Sequence, residues 1–218
     1  MLTSFRSGFR AAARAGFTLI ELLAVILIIG ILMMFLLPKI PEAIDAAEVT
    51  ACKANMGEIN KGLLIYKTKF HRVPRESGAR FLASLITSET WENSEASARK
   101  LTCPGVDLSA ITVGDLPPTE WYNDLELVDG GTTTYAGRNL KEYPLRKFPG
   151  SAKEVIVADD NDPEMNHRTA TVVLWADGSV STYELATLKE DGTIDREETV
   201  LMVGPESPIE KLQKLTLD

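Results

Sequence analysis

The apolar and polar positions divide the chain into three stretches of different periodicity. Residues 22–37 are 16 consecutive uncharged positions, and extended back to Phe17 the run is 21 long with one ionisable side chain, Glu21. A helix of about 20 apolar residues crosses a bilayer, so residues 17–37 predict a single membrane span. Beyond it, Val49, Cys52, Met56, Ile59, Leu63, Tyr66 and Phe70 recur at steps of three and four, the apolar face of an amphipathic helix. Pro38 and Pro41 lie between the two patterns and remove two backbone donors, which predicts a kink or a short melted stretch. Span and amphipathic half together predict a helix of about 50 residues, near 75 Å at 1.5 Å per residue.

The third stretch, residues 71–218, reads as β-rich. "HRVPRES" is the exit loop and "FLASLITSETWE" a short helix; "GDLPP", "DGGTTTYAG" and "YPLRKFPG" read as turns. "KEVIVAD" predicts a strand, and "TATVVLWADGSVSTYEL" predicts two strands joined at Asp177-Gly178 by a two-residue type I′ turn, Gly178 supplying positive φ. In "SPIEKLQKL", Ser207 as N-cap, Pro208 at the first helical position and Glu210 closing a capping box predict a C-terminal helix. The expected class is α+β: a long N-terminal helix packed on a β-rich globular domain that needs the helix's stripe for its core.

Charge sharpens this picture. Residues 1–16 carry Arg6, Arg10 and Arg14 and no acid, which favours a cytoplasmic N-terminus with everything after the span outside. Residues 71–218 hold 26 acids against 15 bases, a net of −11. A domain this acidic does not seek a phosphate backbone, so nucleic acid is excluded as a partner. An ordinary secretory signal also begins with positive charge and an apolar run, but this run is long for one and no A-x-A site follows closely. "VTAC", at residues 49–52, imitates a lipoprotein box, yet Glu42, Asp45 and Glu48 separate it from the apolar run. The span is expected to be retained.

"GFTLIE", residues 16–21, behind a short basic leader and ahead of a long apolar helix, resembles the class III signal of type IV prepilins and type II secretion pseudopilins. Gly16, Phe17, Glu21 and Pro38 occupy the positions of the family's glycine, aromatic, glutamate and proline. The resemblance implies a pilin-like fold, removal of leader 1–16 by a prepilin peptidase cutting between Gly16 and Phe17, and N-methylation of Phe17. The segments then become the helix 17–70 and an extracytoplasmic domain 71–218, held by a single pass in the cytoplasmic membrane. Cleavage creates an amine at Phe17, one helical turn from Glu21. A carboxylate in hydrocarbon is expensive and usually paired. The resemblance implies that its more important partner is the amine of a neighbouring subunit; the plainer reading is an interfacial carboxylate that snorkels.

A second resemblance covers much of the remainder. "CKANMGEINKGLLIYKTKFHRVP", "LTCPG", "TTTYAG" and "HRTATVVLWADGSV" are similar to bacterial prepilin-like proteins that carry a His-x9-Asp-Gly motif, here His167 to Asp177-Gly178. Extended strand between them spans roughly 33 Å, so a direct pair is disfavoured. Asp177 is better read as a turn residue, and His167 is expected to meet the end of the neighbouring strand near Asp159.

Three further candidates remain open. Cys52 and Cys103 are the only cysteines, and the expected topology puts both where disulfides persist, so a Cys52–Cys103 bridge tying the globular part to the helix is one reading; Cys52 on the stripe can equally be a small buried hydrophobe. In "DDNDPEMNH", Asp159, Asp160, Asp162, Glu164 and His167 offer a candidate Ca²⁺ site, against a plain solvated acidic loop; the EF-hand glycine and terminal glutamate are missing. Trp91, Trp121 and Trp175 could line a sugar platform but more often serve a core. Motifs of hydrolases, phosphate loops and zinc proteases are absent. The expected function is a non-enzymatic pilin-like or pseudopilin subunit of a type II secretion or type IV pilus-like filament, with prepilin peptidase and other pilin subunits as partners. The alternative is a monomeric membrane-tethered module that binds calcium or carbohydrate.

Overall fold

A computed structural model describes residues 17–106, 122, 124–131, 133–159 and 166–218. By packing, the chain forms two compact units, Met1–Glu42 and Ala43–Asp218. Helix α1 runs from Leu19 to Leu36, a 3₁₀ turn covers Leu37–Lys39, and helix α2 runs from Ile40 to Phe70. Pro38 thus sits where the helix tightens from α to 3₁₀ hydrogen bonding. Proline lacks the N–H that an α-helical bond needs there.

No residue of α1 is buried. Its large apolar side chains are between 44% and 79% exposed, and its mean hydropathy reaches 3.0 over an 18-residue window. The helical run Leu19–Phe70 is long and apolar enough to cross a membrane.

In α2 the stripe is the core face. Cys52, Met56, Ile59 and Leu63 are fully buried, Val49 and Tyr66 nearly so, and Phe70 packs against the same cluster. Each buried aliphatic side chain of this size contributes about 1.5–3 kcal/mol relative to exposure. Helix α3, Gly78–Thr87, adds Phe81, Leu82 and Leu85 to this core, and the short helix α4 spans Glu95–Lys100.

The sheet is fully antiparallel, in the order β4-β3-β2-β1-β5. Its strands are β1 Tyr135–Arg138, β2 Val155–Asp159, β3 Ala170–Trp175, β4 Val180–Glu184 and β5 Leu215–Thr216. Side chains alternate between its faces. Val172 and Leu174 join the cluster of α2 and α3, whereas Val173 and Trp175 join a second cluster with Leu201, Leu212, Leu215 and Leu185 and Leu188 of helix α5, Leu185–Glu190. The sheet is therefore covered on both sides, which explains why every position of β2 and β3 is buried. A register shift lies between Val155 and Val157.

Three local expectations are corrected. "TTTYAG" is not all turn, because Tyr135–Arg138 forms β1 inside the sheet. The C-terminal segment is not an α-helix: only Leu212–Lys214 is helical, as 3₁₀, before the chain enters β5. Both Leu212 and Leu215 are buried, and pairing with β1 leaves no room for helix to continue. The β3–β4 hairpin is closed by three residues, Ala176 to Gly178, rather than a type I′ pair. Gly178 N–H donates to Trp175 O at 2.9 Å and Trp175 N–H to Ser179 O at 2.9 Å, with φ of +89° confined to Gly178. This is a type I turn followed by a left-handed glycine, the usual three-residue closure.

Candidate functional site

At the N-terminus the sequence builds a capping box. Thr18 is extended and caps α1, its hydroxyl accepting from Glu21 N–H at 3.3 Å. Glu21 reaches back, and its Oε2 accepts from Thr18 N–H at 2.9 Å and from Thr18 Oγ1 at 2.7 Å. Carboxylate and hydroxyl thus each satisfy one backbone donor at the positive end of the helix. Phe17 precedes the cap and is 74% exposed, while Gly16 lies outside the described residues.

A second constellation lies in the core of the folded domain. Strand β2 ends at Asp159 and β3 begins just after His167, so antiparallel pairing returns the chain to the same end of the sheet. His167 Nε2 stands 3.0 Å from Asp159 Oδ2. Cys103, which follows α4, places Sγ 3.2 Å from the same Nε2. Cys52 comes from the stripe of α2, and one donor atom from each of Cys52, Cys103, Asp159 and His167 lies within 4.8 Å of the others. All four residues are at most 1% exposed. No disulfide joins the two sulfurs in this structure.

The surroundings hold these groups in place. Asn166 donates through Nδ2 to Asp159 Oδ1 at 2.5 Å and to Thr134 O at 3.1 Å, leaving Oδ2 turned toward His167. Thr134 Oγ1 accepts from Cys103 N–H at 2.8 Å. Cys52 Sγ lies 3.4 Å from the Tyr135 hydroxyl, which donates to Thr102 O. Burial disfavours an imidazolium, but the adjoining Asp159 carboxylate outweighs it and holds His167 up, to about 10. Burial likewise pushes Asp159 up, against the hydrogen bonds from His167 and Asn166 that hold it down. Cys103 is held well above the ordinary thiol range by its contact with Cys52 and by burial.

This is not a nucleophilic relay. Such a relay puts nucleophile and carboxylate on opposite nitrogens of the imidazole, and it needs an ionisable, accessible thiol. Here sulfur and carboxylate converge on one nitrogen, and both thiols are sealed in the core. Of the candidate calcium set, Asp160, Asp162 and Glu164 lie outside the described residues. Asp159 and His167 face sulfur as well as oxygen, unlike the all-oxygen shell that calcium takes.

Asp177 lies away from His167. Its Oδ1 accepts from Ser179 N–H at 2.9 Å and from Ser179 Oγ at 2.6 Å, which holds its carboxyl below the ordinary aspartate value. Trp91 packs against the core with Lys100 over its ring at 5.2 Å. Trp175 donates to Ser181 Oγ at 2.7 Å with Lys211 over its ring at 5.0 Å, and Trp121 lies outside the described residues. The two described rings are thus committed within the domain.

Sequence reasoning missed Asp45. This buried acid of α2 accepts from Arg168 N–H at 2.7 Å and from Thr169 Oγ1 at 2.5 Å, and its carboxylate, with that of Glu48, lies within 4.8 Å of a ring nitrogen of His167. A signal was present: Asp45 lies four residues before Val49, in phase with the apolar stripe, where a solvated acid does not belong.

Residues 12–37 match the protein family described as the prokaryotic N-terminal methylation motif. No curated protein and no solved structure gives a significant match to the chain. The matched segment contains Gly16, Phe17, Glu21 and the whole of α1. With this motif on an apolar helical run that leads into an antiparallel-sheet domain, the findings support a type IV pilin-like class, processed by prepilin peptidase and anchored in a membrane by the N-terminal helix.

Proposed function

We propose that the protein is a non-enzymatic pilin-like subunit of a type II secretion or type IV pilus-like filament. Prepilin peptidase cuts between Gly16 and Phe17, Phe17 is N-methylated, and the domain beyond the span lies outside the cytoplasm. The observation that carries this reading is a lone carboxylate, Glu21, on a helix with apolar side chains exposed all round and no residue buried by the chain itself. Such a surface is compatible first with lipid and then with the same helix of neighbouring subunits. In the filament, Glu21 faces the Phe17 amine of a neighbour, so both charges leave the bilayer neutralised and in register. Pro38 ends the part of the helix that packs between subunits.

Cysteines introduced one at a time along residues 17–37 test this reading, since the two native thiols are sealed in the core. Oxidative crosslinking in membranes containing the assembly machinery is expected to give serial multimers from positions on the packing face. Monomers at every position would instead support a tethered, unassembled module.

A further inference from the structure

The geometry points to a structural site for one thiophilic divalent cation, zinc by its donor set, held by Cys52, Cys103, Asp159 and His167. Two thiolates, one imidazole and one carboxylate make a closed four-ligand shell. Structural zinc is almost always tetrahedral, with ligand bonds of about 2.0–2.3 Å. Those bonds imply ligand-to-ligand separations of roughly 3.3–3.8 Å in a tetrahedron. The separations seen are 3.2 Å from Cys103 Sγ to His167 Nε2 and 3.0 Å from Nε2 to Asp159 Oδ2, with the whole set inside 4.8 Å. The two pairs that share His167 Nε2 are thus within about half an ångström of such a shell, and the other pairs, inside 4.8 Å, exceed it by at most about 1.5 Å before any ion enters.

The convergence itself argues for an ion. Nε2 carries one proton or one lone pair, and it can direct that toward sulfur or toward carboxylate, but not along both lines at once. A cation at the centre of the four donors is met by all of them. The mixed sulfur, nitrogen and oxygen set suits zinc and excludes calcium and magnesium, which take oxygen shells. A disulfide would use the two sulfurs and leave the Asp159–His167 pair with no part in the arrangement.

The outer contacts fit the same reading. Metal-binding histidines and carboxylates are normally oriented by further hydrogen bonds. Asn166 fixes Asp159 Oδ1, so Oδ2 is the oxygen presented, and Thr134 fixes the Cys103 backbone. Asp45 and Glu48 stand beside a ring nitrogen of His167. Zinc takes cysteine as thiolate, so on binding the two thiol protons pass to solvent. The ion would tie α2, the segment after α4 and the paired ends of β2 and β3 to one point, the role that structural zinc plays in folding.

The test uses the full chain without a histidine tag, extracted in detergent from zinc-replete cells. Elemental analysis is paired with intact mass and with thiol alkylation after denaturation. One zinc per chain with two alkylatable thiols is the expected result. Replacement of zinc by Co²⁺ should give a thiolate-to-cobalt absorption that Cys103→Ser removes, and Asn166→Ala should weaken binding about 10–100-fold, as loss of an outer-shell contact typically does. A mass 2 Da lower with no free thiol means a disulfide and overturns the site. So do two free thiols in a folded, wild-type protein that takes up neither Zn²⁺ nor Co²⁺, a result that does not depend on any variant folding.

Discussion

Asp45 holds the Arg168–Thr169 segment against the long helix through two short hydrogen bonds, one from a backbone N–H and one from a hydroxyl. These bonds join residues more than 120 positions apart and fix the start of β3, next to His167. The acid is thus a clamp between the helix and the sheet.

Asp45→Ala is expected to destabilise the domain by about 1–3 kcal/mol, because the Arg168 N–H loses its charged acceptor in a nearly buried site. Asp45→Asn, which keeps a carbonyl acceptor, should lose less. Denaturant midpoints of the two variants check the order, and equal losses would mean that the negative charge matters more than acceptor geometry.

Gly178→Ala should also destabilise. The φ of +89° costs an L-residue about 1–2 kcal/mol. The added methyl would in addition meet the side-chain amide of Asn60 on α2 at 2.6 Å. Thermal unfolding of this variant beside Gly192→Ala separates the two effects. Gly192 also has positive φ, at +78°, but open space around it, so its loss should be the smaller.

Acid should weaken the β3–β4 hairpin through Asp177. Ser179 hydrogen bonds lower its folded-state value below that of the unfolded chain. The carboxylate's contribution is therefore present above the unfolded value, near 3.9, and is lost as pH falls through the lower folded value. Asp177→Asn should unfold more easily than wild type at pH 6 and no more easily at pH 2, as read from urea midpoints. The effect is small, because the group is exposed.

Thr18 and Glu21 separate capping from assembly. Thr18→Ala removes the cap but keeps the acid, and a lost cap costs about 1 kcal/mol of helix stability. Its incorporation into filaments is expected to remain near wild type. Glu21→Ala should insert into the membrane normally yet fail to incorporate. Equal defects in both variants, read from sheared filament fractions, would assign Glu21 a local capping role only.

The most legible parts of the sequence were those where one periodicity had one cause. The stripe had no competing pattern, and its residues from Val49 to Tyr66 are all buried in α2, with Phe70 packed at the edge of the same cluster. Strands β2 and β3 declared themselves through β-branched runs. Strand β1 did not, because Gly137 sits in its centre. A side chain there would collide with the carbonyl of Gly78 at the start of α3, so a close backbone approach makes a strand look like a turn. The C-terminal segment carried true helix-start chemistry at Ser207 and Pro208, and sheet pairing of Leu215 overrode it. Within the cysteine, aspartate and histidine cluster, the meeting of His167 with Asp159 was readable, because antiparallel pairing of β2 and β3 returns the chain to one end of the sheet. The two cysteines had no readable spacing to that pair, and only the packing of α2 and of the segment after α4 brings them in.

The central claim is that the chain is trimmed to Phe17 and that the new amine is the counter-charge of a neighbouring Glu21. N-terminal sequencing with intact mass of membrane-extracted protein, from hosts with and without a working prepilin peptidase, tests it most directly. The expected result is a chain starting at N-methylated Phe17 in the first host and at Met1 in the second. Retention of residues 1–16 in both would contradict the account.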